Sequence, residues 1–384
     1  MTGKVRLLHI IVILAWGAFV PVQEAVAGNG NTPAILRPIM ALKHFIDSSA
    51  VRGVDRRFIE SPKRPWQVIV RGNVNQTDLQ MKSVINGGMM FADVQGDLQW
   101  EPRIKTSPST YVGIWAGYRG YGFGYSRNVA GDKGNYLTFG ITGGTYGANV
   151  RIHHFKTHEP EVKVSGFMPD WTEETISYGV SSPIDVHTVI ADAYYLFNGR
   201  HFSYAAAYDH SVFQLRSAGS VVAGAMYFQS TIDYSDPSNA ELMLWMGDIG
   251  RIKQWQASLG VGYAYNWVPA KGWLVNAMVM PMLTAYNRLK VWRYDSNYRQ
   301  MALDEKIHED DELRPEDYKV WVMEERRERS DFRLTFDARF SLTYQWDRYF
   351  INSYCQYNHF NFKQNSVSGK LNDWLAYLQL GIRL

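Results

Sequence analysis

Asp209-His210-Ser211 sets side by side the three residue types of a nucleophilic site. A serine nucleophile needs a base within hydrogen-bonding reach and an acid to orient that base. The run closes a segment, Phe202 to Asp209, that alternates as a strand does, and neighbours on a strand point to opposite faces. These three cannot then form a triad as a local unit; one would have to be assembled in space. His153, His154 and His158 suggest a metal site, which normally takes three or four ligands when closed. On a strand His153 and His154 diverge, so the group reads as polar residues near a strand end at a membrane boundary. No Gly-x-Ser-x-Gly, His-Glu-x-x-His or phosphate-cradling loop is present. The sequence designates no catalytic residue, no metal ligand and no cofactor.

A further set carries charge on the polar faces of alternating segments: Arg151, Asp192, Arg333, Asp337, Arg339 and Arg383. If those segments are barrel strands, two readings stay open. Converging across a wet lumen, the charges would define a constriction that favours anionic solutes. Paired with one another, Arg and Asp would instead plug a narrow barrel.

The elements that must position these residues are strands. Beyond residue 30, charged or amide residues interrupt every apolar segment well short of the roughly 20 residues a helical span requires. An α-helical membrane protein is excluded, which leaves a secreted soluble protein or a transmembrane β-barrel. Aromatics make up 14% of the chain, with 24 Tyr and 13 Trp, beside 32 Gly and 20% charged residues. Rings suit membrane interfaces and glycine suits turns and tight barrel walls, which favours the barrel. The net charge of +3 implies no nucleic-acid partner, and the lone Cys355 reads as a packing residue.

Lys4 and Arg6, the apolar run from Leu7 to Val20 and Ala25-Val26-Ala27 form an export signal, with cleavage expected after residue 27. Residues 28–65 read as a periplasmic segment with a short amphipathic helix over Pro33 to Ile46. From Trp66 the period becomes two. Trp255, Ala257, Leu259, Val261, Tyr263 and Tyr265 alternate with Gln254, Gln256, Ser258, Gly260, Gly262, Ala264 and Asn266. Phe332 to Gln345 repeats the pattern with charge on the polar face. The chain stops on the apolar face of Trp374, Ala376, Leu378, Leu380, Ile382 and Leu384, as a closing barrel strand does. Further strands are expected at Tyr111 to Arg119, Tyr136 to Thr142, Gly147 to Phe155, Val186 to Phe197 and Phe202 to Asp209. Tight periplasmic hairpins are expected at Asn198-Gly199-Arg200, Val268 to Gly272 and Trp346-Asp347-Arg348. The charged stretch Tyr286 to Ser330 is the expected long extracellular loop, with a helix near its end. The spacing predicts an all-β, antiparallel up-and-down barrel over 66–384 of about twelve strands, within roughly ten to sixteen.

Three segments carry a resemblance: Pro108 to Ile114 through Gly120-Tyr121-Gly122; Phe197 to Tyr204 leading to Gln214-Leu215-Arg216-Ser217-Ala218-Gly219-Ser220; and Leu259 to Tyr265. They resemble an uncharacterised Bacteroidetes family of outer-membrane β-barrel proteins, domain of unknown function 4421, from about Val54 to the C-terminus. The resemblance implies architecture and location in the bacterial outer membrane, and carries over no functional residue. Three functions are then expected in descending order: a pore or uptake barrel for a small solute; a structural or adhesive protein with a closed lumen and an extracellular partner; and a lipid-acting enzyme. The expected partners are outer-membrane lipid and the barrel-assembly machinery.

Overall fold

The computed structural model describes residues 45–47, 52–86, 97–165, 175–239, 242–243, 246, 249–296, 320–329, 333–364 and 367–384. The export signal over 1–27 lies outside these residues, as does most of the helix expected from Pro33 to Ile46. Residues 45–47 are helical, and the Tyr118 hydroxyl donates to the Asp47 carboxylate at 2.5 Å.

In chain order the strands are β1 (Ile59–Glu60), β2 (Trp66–Asn86), β3 (Asp97–Lys105), β4 (Ser109–Tyr118), β5 (Tyr121–Ala130), β6 (Lys133–Thr142), β7 (Tyr146–Thr157), β8 (Glu161–Ser165) and β9 (Thr175–Tyr178). Then follow β10 (Ile184–Leu196), helix α1 (Tyr204–Tyr208), β11 (Phe213–Gln214), β12 (Ala218–Asp233), β13 (Ile249–Trp267), β14 (Trp273–Ser296), β15 (Val320–Arg329), β16 (Leu334–Trp346), β17 (Tyr349–Gln364) and β18 (Val367–Arg383). Twelve of them, β2, β4–β7, β10, β12–β14 and β16–β18, form an antiparallel barrel that β18 closes onto β2. Closure removes the sheet edge, which no strand can leave open in hydrocarbon. Strands β3, β8 and β9 widen the wall beyond β2, and β15 pairs with the far half of β14. All four lie at the end opposite the chain's closing seam, where Trp66 and Leu384 exchange backbone hydrogen bonds of 3.3 and 2.8 Å.

Four of the five connections at the seam end have two to five residues, whereas most of those at the opposite end are long, which makes the seam end periplasmic. Arg119 and Gly120 form a two-residue turn with φ of 52° and 90°, the left-handed pair that a tight hairpin demands. The turns at 268–272 and 347–348 fall where the sequence places them.

The alternation of β13, β16 and β18 has the expected polarity. Leu259, Val261, Tyr263, Phe340, Leu378 and Leu380 are exposed, while Gln256, Ser258, Asp337, Ser341, Gln379 and Arg383 are buried. Polar residues inside and apolar residues outside make sense only when lipid surrounds the wall. Along β13, Trp255 and Tyr265 lie ten residues apart, roughly 33 Å of strand and about 25 Å of height at barrel tilt. That matches a hydrocarbon layer between two aromatic girdles, the lower one continuing through Trp267, Trp273, Trp346 and Tyr349. The protein is an integral barrel of the bacterial outer membrane. Cys355 faces outward on this wall instead of packing inside.

Two expectations about secondary structure fail. Phe202 to Asp209 is no strand, and Asn198-Gly199-Arg200 is no hairpin: residues 197–217 form one long connection that carries α1 and β11. The run Tyr204-Ala205-Ala206-Ala207-Tyr208 is rich in alanine, the best helix former, and the Ser203 hydroxyl caps it by accepting from Ala206 N at 3.2 Å. Alternation misled because three alanines satisfy either period. The charged stretch from Tyr286 is also not all loop. β14 runs on to Ser296, and the run Glu324 to Arg329, where a helix was expected, belongs to β15; 297–319 lie outside the described residues.

Trp115 points inward, its indole lying against Gly117, Gly122 and Gly124 of β4 and β5; a Cβ on Gly122 would stand 1.8 Å from the ring. Gly122→Val should therefore evict Trp115 and destabilise the barrel by about 1–3 kcal/mol, measured by urea unfolding in detergent. Unchanged stability would show that the ring has room elsewhere.

Candidate functional site in the lumen

Inward-facing side chains fill the lumen in three levels. At the periplasmic level the connection 197–217 folds into the barrel. Its keystone is Gln214, which is buried: its carbonyl accepts from Ser203 N at 2.9 Å and Asn266 Nδ2 at 3.0 Å, while its amide donates to His201 O at 2.7 Å and Arg216 O at 2.9 Å. The wall reaches in to meet it. Ser341 Oγ donates to Ala207 O at 2.7 Å, Gln67 Nε2 to Asp209 O at 2.7 Å, and Tyr208 donates to Asn276. β1 pairs with β11 beneath, and Ile59, Ala205, Ala206, Ala207, Val212 and Leu274 pack as a small apolar core there. Outside the membrane, hydrogen bonds from Arg57 hold the Asp55 carboxyl well below the usual carboxylate range, and Asp55 N donates to Arg200 O at 2.8 Å.

The middle level is charged. Arg339 Nη2 lies 2.8 Å from Asp337 Oδ2 and 3.3 Å from Asp192 Oδ2, and its Nη1 donates to the Tyr204 hydroxyl of α1 at 2.7 Å. Arg151 pairs with Asp373 at 2.7 Å, and Asn149 donates to Asp192 at 3.0 Å. Arg383, nearer the seam, donates to His210 O at 3.2 and 3.0 Å and to Gln345 Oε1 at 3.0 Å. Of the six charged residues singled out in the sequence, the structure thus brings Asp192, Asp337 and Arg339 into one cluster. Arg151 finds an acid outside that set, and Arg383 ties down the inward connection. Arg333 stands apart, half-buried where the chain enters β16, its carbonyl accepting from Thr284 N at 2.9 Å.

Arg71 escaped the sequence reading. Its Nε donates to Ser126 Oγ at 3.2 Å and its Nη2 to Thr138 Oγ1 at 2.6 Å, and among the described residues no carboxylate pairs with it. A cavity of ≈ 130 Å³ separates these groups, lined by Arg71, Arg151, Asp192, Arg339, Tyr354 and Tyr377 among others. The available signal was the inward parity Gln67, Ile69, Arg71, Asn73 and Asn75, a polar face with one cation.

Above the charges, the extracellular level combines an apolar cluster with a buried network in which Gln254, Gln256, Ser258 and Thr284 hydrogen-bond one another. Phe228 stacks on Phe360 at 4.1 Å, and Met226, Met280, Met282 and Leu371 share the same core. His153 is buried here, its ring stacked 3.8 Å from Tyr136 and its Nε2 2.9 Å from the Tyr111 hydroxyl. His154 faces outward to Asp185 at 3.0 Å, and His158 is exposed beyond the strand end. The described residues hold no cluster of three metal-binding side chains. Asp209, His210 and Ser211 do not lie on a strand, which corrects the geometric ground for separating them. Asp209 is the C-cap of α1 and accepts from Ser211 N at 2.8 Å, while His210 takes a φ of 61°. His210 and Ser211 are buried against the wall, and Asp209 is half-buried.

Removing Arg339 would leave two buried carboxylates facing each other. Arg339→Met should destabilise the barrel by about 3–5 kcal/mol in guanidinium unfolding followed by tryptophan fluorescence. Adding Asp192→Asn and Asp337→Asn should recover most of it. A single substitution without effect would mean that water reaches the cluster freely.

Comparison with curated protein sequences finds no match. Solved structures with a similar course include the toluene transporter TodX of P. putida, at 8% identity over 84% of this chain and 91% of that one, with a TM-score of 0.27. The outer membrane protein OprG from Pseudomonas aeruginosa gives 10% identity, 83% and 96% coverage and a TM-score of 0.28. The translocator domain of the autotransporter NalP from Neisseria meningitidis gives 9%, 91% and 96%, with 0.31. Superpositions this loose carry no argument about mechanism. Residues 62–383 match the family described as Domain of unknown function (DUF4421), and the chain belongs to that family.

Proposed function

We propose that this protein is a sealed outer-membrane barrel that acts as a surface platform of the cell envelope and does not conduct solute at rest. The observation that carries this reading is the inward connection 197–217, folded across the lumen and bonded to the wall from several sides. An open pore needs a wet path lined by charge that is left for the solute. Here Arg339 and Arg151 are engaged by carboxylates, and packed Phe and Met side chains with hydrogen-bonded amides and hydroxyls lie above them.

Strand length supports the platform. β14 has 24 residues, whereas a tilted crossing takes about 9–11. The part beyond the upper girdle, Arg288 to Ser296, is paired with β15 and projects roughly 20 Å beyond the bilayer at the strand rise and barrel tilt. A long paired extension of this kind is suited to engaging an extracellular partner. No reaction is assigned to Asp209, His210 and Ser211, which lie inside the wall where a membrane lipid does not reach them.

A gated channel is the second reading, and the chamber beside Arg71 favours it. Displacing α1 would join that chamber to the periplasm and leave a guanidinium facing an anionic solute.

Planar-bilayer recording separates the two. Full-length protein should be silent, and a variant with residues 199–216 replaced by a short Gly-Ser turn should show stable channels once heat-modifiable migration proves it folded. Stable conductance from the intact protein would overturn the sealed reading.

A further inference from the structure

One inward-facing glycine differs from its neighbours in the lumen. At Gly117, Gly122, Gly124 and Gly224 an added Cβ would stand within 3 Å of a packed side chain. At Gly140 of β6 it would meet only Asn149 Oδ1, at an ordinary contact distance of 3.5 Å. A larger residue there would fill space and remove a glycine from a strand, and both changes stabilise a wall. The chain instead keeps glycine where the wall borders the cavity of ≈ 130 Å³.

The same cavity is bordered by Arg71, which is only 6% exposed. Its Nε and Nη2 are held by Ser126 and Thr138, and its Cζ lies 5.4 Å from the centre of the Tyr377 ring. Among the described residues nothing accepts a hydrogen bond from its Nη1. The carboxylates of the cavity are committed elsewhere or stand apart. Asp192 is engaged by Arg339 and Asn149. Asp209 Oδ2 lies beside Gly120, whereas Arg71 lies beside Gly124, about 13 Å further along the wall, with the Trp115 ring over Gly122 between them. Arg71 is thus a fixed guanidinium, buried, with a donor left over and a space next to it.

Charge and volume together narrow what fits. A single cation without a carboxylate suits a monovalent anion, and a guanidinium edge suits the planar oxygens of a carboxylate. The cavity holds about four water molecules at their liquid volume, which is more than a halide fills and is the room of a short carbon chain. Ile69, Ile190 and Trp115 give it apolar walls for such a chain. The lining descends to Thr142 and Asp209 at the periplasmic level, while the packed Phe228 and Phe360 lie above, so the cavity is approached from the periplasm.

We infer that this chamber binds a short-chain monocarboxylate, with the carboxylate on Arg71 and the carbon tail against Ile69, Ile190 and Trp115. Binding in a blind chamber requires no conduction, so the inference stands apart from which reading of the lumen holds.

The test is equilibrium dialysis of radiolabelled propionate against the full-length, detergent-folded barrel. Wild type should bind saturably, one propionate per barrel, and propionamide should compete at least ten-fold more weakly than unlabelled propionate. Arg71→Gln should weaken binding about ten-fold or more, the loss expected for a hydrogen bond to a charged group. Gly140→Leu leaves Arg71 in place and fills the chamber; it should abolish binding while urea unfolding shows a barrel at least as stable as wild type. Arg127→Gln, an exposed cation on the outside of β5, should bind as wild type does. Should Arg71→Gln fail the heat-modifiability check, Gly140→Leu and the amide comparison carry the test. Absence of saturable binding, equal affinity in Arg71→Gln or Gly140→Leu, equal competition by propionamide, or stronger displacement by inorganic phosphate than by propionate would overturn the proposal.

Discussion

Every peptide group that enters hydrocarbon must find its partner within the protein, and for strands this means a sheet with no edge. The seventeen-residue register of β18 on β2 meets that demand, and the rest of the structure follows from it. Closure with twelve strands sets a circumference, and the circumference sets a lumen wider than side chains of the wall alone fill at every level. The remaining space has to be occupied by water, by ligand or by chain. Near the periplasm the protein occupies it with its own connection 197–217, and near the outside with methionine and phenylalanine.

The charges between those two layers then have a structural reason to pair. A guanidinium far from bulk water is expensive unless carboxylates and hydroxyls surround it. Arg339 collects two aspartates and the hydroxyl of Tyr204, so the same side chain that neutralises the wall also holds α1 inside it. Electrostatic satisfaction and occlusion are one arrangement. Arg383 is held instead by carbonyl and amide oxygens, and Arg71, satisfied by hydroxyls and lying beside the cavity, marks where the middle level is least complete.

The wall was legible in the sequence because lipid outside and polar groups inside impose a two-residue period that local reading detects, most plainly in Phe336 to Tyr344 and Trp374 to Leu384. The inward connection was not legible. Tyr204 to Tyr208 carries no polar face because every side of it is buried, and without a face there is no period to read. Ion pairing was hidden for a different reason: Arg151 and Asp373 are 222 residues apart and meet only because the barrel curves. Arg71 could be placed on the inward face by parity, but its partners, Ser126 and Thr138, stand on β5 and β6 and meet it only once the barrel closes.

The central claim is that residues 197–217 form a fixed part of the barrel interior, and amide hydrogen exchange of the folded protein tests it most directly. Ala206, His210 and Leu215 donate to Ser203 Oγ, Ala205 O and Phe58 O. Their peptides should exchange as slowly as those of β13 and β16, over hours. Exchange within seconds, at the rate of an exposed loop, would mean that the segment leaves the lumen readily, and the account of a sealed barrel would fail.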